Sequence, residues 1–260
     1  MENLNENGLF SPLQIFIIFL ITIFLVSVIG VIIILLGGTT LSLLTEILII
    51  FPALIACLYF KMPLIKTFRL HKINQSVIFY SIVISLAVFI IGDEIDRIIF
   101  LVFPMPDVLY ESMTKLLQID SIMDGIILIV SGVIFAALTE EMLFRGVLQK
   151  SLEHFREPAT AIVLSSVFFA IIHFNPWAAL QIMLLGLFLG YLAWKANSVF
   201  PAIILHGINN LLSMILINLP EEKLKWYSAT TKHVNLYLIL LALVIIVPAV
   251  VSFNRACNEE

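Results

Sequence analysis

Eight long apolar runs take up most of this chain of 260 residues, and they leave few folds open to it. They cover residues 13–36, 41–60, 76–91, 122–149, 159–174, 177–194, 199–218 and 234–253. A helix needs about 20 apolar residues to cross about 30 Å of hydrocarbon, and most of these runs are close to that length. The chain is 61% hydrophobic and only 12% charged, against about 25% charged in soluble domains. It reads as an all-α membrane protein, a polytopic bundle of about eight transmembrane helices forming a single domain over residues 1–260. The loops are too short to hold a separate soluble domain.

The run at 98–103 is too short to span and precedes Pro104 and Pro106, so it is expected to be interfacial or to extend a helix. The first run lacks a basic region ahead of it and exceeds a signal-peptide core in length, so it is expected to be retained as a helix. Cys57 lies inside a run and Cys257 in the tail, which argues against a disulfide framework. With a net charge of −4, no basic region suggests nucleic acid. The lipid bilayer is the expected partner.

Orientation follows from lysine and arginine in short loops. Lys61, Lys66, Arg69, Lys72, Arg145, Lys150, Arg156, Lys195 and Arg255 fall on one side, nine of the fourteen basic residues. The third loop, with Asp93, Glu94, Asp96, Asp107, Glu111 and Asp120, falls on the other. Both termini are therefore expected on the cytoplasmic side of an integral membrane protein.

A charged side chain at the bilayer centre costs about 2.5–3.5 kcal/mol on insertion scales, so the polar groups inside the runs call for a reason. Read as helix, the segment from Thr139 to Gly146 puts Glu141 and Arg145 on one face, while Glu140 points about 100° away. One carboxylate is thereby neutralised, and Glu140 is left to act as a general base. A structural intramembrane ion pair would look the same in isolation. His173 is the one titratable group of its run and lies four residues after Phe169. Singly, it reads more readily as a hydrogen-bonded core histidine. His206 and Asn210, again four apart, can both donate to an oxyanion, although interhelical polar contacts of this kind are common in bundles. The conjunction of base, two imidazoles, amide and compensating guanidinium carries the case for an intramembrane polar site.

Depth tests whether these groups can meet. Measured from a turn at 154–157, Glu140 lies about 18 Å deep and His173 about 24 Å, at about 1.5 Å per residue. His206 follows Pro201 by only five residues, which would leave it shallow. The conflict is relieved if the 195–200 connection is drawn into the protein, or if the fifth and sixth helices, joined through Asn175, Pro176 and Trp177, fail to cross fully. Gly186 and Gly190 form a small-xxx-small pair suited to close helix approach.

In order along the chain, Glu140-Glu141-x-x-x-Arg145, Phe169-x-x-x-His173 and His206-x-x-x-Asn210 resemble the three motifs of the CPBP family of CaaX proteases, bacteriocin-processing enzymes and abortive-infection proteins. The motif-bearing helices lie at about 122–218. The resemblance implies an intramembrane endopeptidase in which Glu140 and His173 activate water, His206 and Asn210 stabilise the oxyanion, and Glu141, Arg145 and Phe169 order the site. It also implies an alternative, a zinc enzyme with Glu140, His173 and His206 as ligands. The H-E-x-x-H spacing is missing, so no cofactor is the favoured expectation. Two other readings stay open. One is a non-catalytic membrane regulator or bacteriocin-immunity protein. The other is a proton-coupled transporter, which the lack of an evident repeat disfavours. The setting expected is the plasma membrane of a prokaryote.

Overall fold

The computed structural model describes residues 4, 6–38, 40–228 and 232–259, which are helical without a strand among them. Six of the described helices are long and apolar enough to cross a membrane. They are α1 (Pro12–Leu35), α2 (Thr40–Tyr59), α4 (Gln75–Val102), α6 (Ile122–Phe155), α9 (Phe200–Asn218) and α11 (Leu236–Asn258). Two apolar helices are shorter, α7 (Pro158–Ile172) and α8 (Ala179–Lys195). The short α3 (Leu64–Thr67), α5 (Asp107–Leu116) and α10 (Glu221–Leu224) complete the set.

The apolar surface that would defeat a soluble protein is arranged in stripes. Leu13, Phe16, Leu20 and Phe24 on α1 are exposed at helical spacing, as are Leu236, Leu240, Val244 and Val247 on α11. Such faces are stable only against lipid, and the chain is an integral membrane protein. The opposite faces build one core around Phe10, Phe68, Phe144, Phe169 and Phe253, all fully buried.

The structure differs from the sequence reading in three places. The third run ends at Ile91 by hydropathy, yet α4 continues to Val102 and absorbs the 98–103 run as its last turns. Two of its acids have protein partners. Asp93 accepts from Arg97 at 2.8 Å and from the Tyr227 hydroxyl at 2.9 Å, and Glu94 accepts from the Val234 N–H at 2.8 Å. The break comes near Pro104, where the backbone can no longer continue the helix. The fourth run is expected to end at Gln149, but α6 extends to Phe155. At about 1.5 Å per residue its 34 residues span about 51 Å, well beyond the hydrocarbon. Finally, α7 and α8 have only 15 and 17 residues, so they form a hairpin too short to cross as two full spans.

Protein wraps the overhanging end of α6. The Phe10 N–H donates to Ser151 Oγ, and Lys150 Nζ donates to the carbonyls of Lys66 and Gly8. Arg69 makes a two-pronged ion pair with Glu153, whose Oε1 also accepts from Gln149 Nε2. Arg69 lies in the left-handed region, φ 52°, and in this conformation its carbonyl accepts from the Val199 N–H at 3.0 Å. Ser198 Oγ donates to the His71 carbonyl at 2.7 Å, and both Ser198 and Val199 are fully buried. The 195–200 connection is therefore held by buried contacts to the 69–71 segment, and from there α9 brings His206 within 2.8 Å of Glu141.

Two glycines make close approaches that no side chain would allow. A Cβ on Gly146 of α6 would lie 2.8 Å from Phe68 Cα and 3.0 Å from its carbonyl oxygen, with backbone on both sides. Gly186 on α8 has Ser166 of α7 at 3.0 Å in the same sense. Gly146→Ala is expected to lower stability by about 1–3 kcal/mol through overpacking, read as a fall in thermal midpoint in detergent with the helical content unchanged below it.

Candidate active site

The polar residues converge on the middle of α6. Its helix is α-type from Ala136 to Glu141, flanked by π-helical stretches at Leu128–Phe135 and Met142–Gln149. Wide helix of this kind is rare and found chiefly at functional sites, because it pushes backbone and side chains off their regular faces.

Glu141 and Arg145 keep the i, i+4 pairing expected of them, Nη1 to Oε1 at 3.0 Å, both fully buried. The same oxygen accepts from His206 Nδ1 at 2.8 Å. Arg145 Nη2 reaches across to the Gly186 carbonyl at 3.2 Å, and one turn further on Gln149 Nε2 reaches the Gly190 carbonyl at 2.9 Å. The glycine pair of α8 thus does more than permit close packing: its bare carbonyls are the acceptors for two α6 side chains. The Phe169 ring lies beneath this network. Arg145 Cζ is 4.4 Å from its centroid, and the His173 and His206 rings meet its edges at 4.7 and 5.9 Å. Cation–π and edge contacts of this kind hold guanidinium and imidazoles in register.

His173 caps the end of α7. Its Nδ1 lies 2.6 Å from the Phe169 carbonyl, so Nδ1 carries the proton and Nε2 is left as the free nitrogen. The next residue, Phe174, adopts φ 49°, an outlier for a bulky side chain, and this turns the chain away immediately after the histidine. Backbone strain of this sort clusters at functional sites.

His173 Nε2 faces Glu140 Oε2 at 3.9 Å, too far for a direct hydrogen bond and suited to one bridging water. Both groups line a cavity of about 280 Å³ bounded by α1, α2, α6 and the end of α7. Most of its other walls are apolar, with Phe19, Ile23, Val26, Leu143 and Ile172 among them. Glu140 is 8% exposed, and among the described residues its Oε2 has no hydrogen-bond partner. The sequence-derived residues therefore fall into two groups. Glu140 and His173 open onto the cavity, whereas Glu141, Arg145 and Phe169 lie behind it in sealed contact with His206. Asn210 is the outlier: its Nδ2 donates to the Gly132 carbonyl at 2.8 Å, in the π-helical stretch of α6.

The cavity adds a residue absent from the motif reading, Glu46 of α2. It is the one charged residue of the 41–60 run, a signal of the same kind that singled out Glu140.

The donors named for a zinc site do not gather. Among the described residues no group of three His, Cys, Asp or Glu side chains is placed to hold a metal ion. His206 presents Nδ1 to Glu141, and the Glu140–His173 separation is that of a water bridge.

Residues 122–212, which contain all three motifs, match the Rce1-like family, described as type II CAAX prenyl endopeptidase Rce1-like. The match covers residues 122–212 of the 260, less than half of the chain. It begins with α6 and runs into α9, so the contacts among Glu140, Glu141, Arg145, Gln149, Phe169, His173, His206 and Asn210 are made within it. The match likens this segment to CAAX-type proteases at the level of the family. No curated protein and no solved structure matches the chain significantly.

Proposed function

We propose that the protein is an intramembrane endopeptidase that hydrolyses a peptide bond of a membrane-bound or membrane-delivered substrate by a glutamate-activated water. The observation that carries this reading is the largely apolar cavity between the Rce1-like segment and the first two helices, onto which Glu140 and His173 open 3.9 Å apart. A water held between them loses its proton to Glu140 as its oxygen attacks the peptide carbonyl. His173 Nε2 orients that water through its lone pair. The proton then passes to the leaving amine as the C–N bond breaks.

The oxyanion needs donors, and His206 and Asn210 are the proposed ones. With Nδ1 held by Glu141, His206 has Nε2 left to donate once the ring is protonated, and Glu141 offsets that charge. Asn210 keeps one amide hydrogen beyond the one given to Gly132. Glu141, Arg145 and Phe169 hold the imidazoles in place. In this reading no step is routed through a metal. Extensive chelation is expected to leave cleavage unchanged, and metal analysis of active protein is expected to find zinc well below one per chain. Stoichiometric zinc lost together with activity would overturn the metal-free mechanism.

The family description makes a prenylated CAAX peptide the first probe to try in purified assays. In cells, membrane peptides compared by mass spectrometry between wild type and Glu140→Gln should reveal fragments that need Glu140. Identical peptide sets would leave the regulator or immunity reading in place. The proposed setting is the plasma membrane of a prokaryote, with both termini on the cytoplasmic side, where the basic residues around α3 and the end of α6 collect.

A further inference from the structure

The cavity is bounded on one side by the first half of α2, Thr40–Ile50, wound as a 3₁₀-helix of 11 residues. Runs of more than a turn or so of this tight helix are uncommon and often mark a strained or functional segment. The segment is pinned to α6 at one point. Thr139 Oγ1 donates to the Glu46 carbonyl at 2.9 Å while also bonding the Phe135 carbonyl at 2.8 Å. The clamp joins the backbone of Glu46 to the residue just before Glu140, and the two carboxyl groups meet side chain to side chain at the cavity wall. Among the described residues, Glu46 Oε2 and Glu140 Oε2 are both buried without a hydrogen-bond partner.

The surrounding charges decide what such a contact needs. Glu140, Glu141 and Arg145 come from α6, His173 from the end of α7, His206 from α9 and Glu46 from α2, while α1 contributes only Thr22 and Ser27 as polar groups on the cavity. The guanidinium is committed to Glu141 and the Gly186 carbonyl. The His206 imidazole is likewise committed to Glu141, so two further carboxylates in contact have no cation of their own among the described residues, and like charges this close do not both ionise away from water. A carboxyl pair hydrogen-bonds only when one member carries the proton.

Resting on the protease reading above, we propose that Glu46 is a positioning residue of the active site, holding the proton that it shares with Glu140 and donating it to the Glu140 carboxylate. That donation fixes the carboxylate so that its other oxygen faces His173 and the attacking water. In the reaction the water proton goes to Glu140 and from there to the leaving nitrogen. Glu46 keeps its own proton throughout, so no other donor or acceptor is needed. The Rce1-like match begins at residue 122, so this part of the site comes from a helix outside it.

The test pairs two substitutions with two readouts. Glu46→Gln retains a donor without a titrating proton, and Glu46→Leu removes the donor. With a fluorogenic prenylated CAAX peptide, Glu46→Gln is expected to keep kcat within about threefold of wild type, and Glu46→Leu to lose at least about tenfold with KM little changed. Infrared spectra of the full-length protein in detergent should show a protonated-carboxyl stretch in wild type at the pH of the assay that is missing from Glu46→Gln. The absence of that band from wild type, or its persistence in Glu46→Gln, overturns the shared proton. Equal kcat losses in the Gln and Leu variants, or none in Leu, overturn the positioning role. If Glu140→Gln still cleaves, the protease reading itself fails, while the infrared difference continues to decide the proton.

Discussion

Glu140→Gln is expected to reduce peptide cleavage by about 10²–10⁴-fold, the range that a positioned general base contributes. The substitution is nearly isosteric, so it opens no cavity and leaves the apolar walls of the site intact. It keeps a hydrogen-bonding head beside His173 but cannot take the proton of the attacking water. Stability should hold or rise slightly, because a buried group whose Oε2 has no partner among the described residues is replaced by a neutral one. The informative measurement is therefore kcat/KM together with the thermal midpoint of the same preparation. A folded Glu140→Gln protein that cleaves at the wild-type rate would place the base elsewhere. Glu141→Gln is the natural comparison, since Glu141 lies behind the cavity between Arg145 and His206. Its loss should disturb the orientation and charge of His206 while leaving the base in place, giving a smaller drop in kcat and a larger drop in stability.

Hydropathy and helical spacing reveal some of these features and hide others, for physical reasons. The eight apolar runs correspond to helices because burial in lipid demands continuous apolar sequence, and the Glu141–Arg145 pair is legible because i, i+4 geometry is local. The end of α4 was hidden because hydropathy registers Asp93 and Glu94 as polar and cannot register that Arg97, Tyr227 and the Val234 N–H satisfy them. The placement of the start of α9 rests on the Arg69 and His71 carbonyls, partners distant in sequence whose contacts leave no periodic trace. The α6 π-helical stretches carry no compositional mark, so the partner of Asn210, the Gly132 carbonyl, could not be anticipated. Glu46 differs in kind: a lone acid in an apolar run is visible by the same cost argument as Glu140, but it lacks a helical partner four residues away to draw attention to it.

Arg145→Leu is expected to be the most destabilising single change in the site, by about 3–5 kcal/mol, because it strands a buried carboxylate. Glu141 is fully buried and its Oε2 has no partner among the described residues, so with the guanidinium removed only His206 remains to answer its charge. The same change frees the Gly186 carbonyl and removes the cation from the face of Phe169, both of which tie α6 to its neighbours. Arg145→Lys should recover only part of the loss, since an ammonium cannot address Glu141 and the Gly186 carbonyl in the plane of Phe169 as a guanidinium does. The double variant Glu141→Leu/Arg145→Leu separates pair from packing. A well-filled apolar replacement of a buried ion pair is often neutral, so the double should cost less than Arg145→Leu alone even though His206 loses its partner. Unfolding in detergent by thermal or denaturant titration reads these three together with Glu141→Leu, the single change that completes the cycle. If the two single changes simply add, Arg145 is held by packing rather than by Glu141. A sub-additive result means that the charge exists to hold Glu141, and through it the Nδ1 proton of His206, which is what an oxyanion donor on α9 would require.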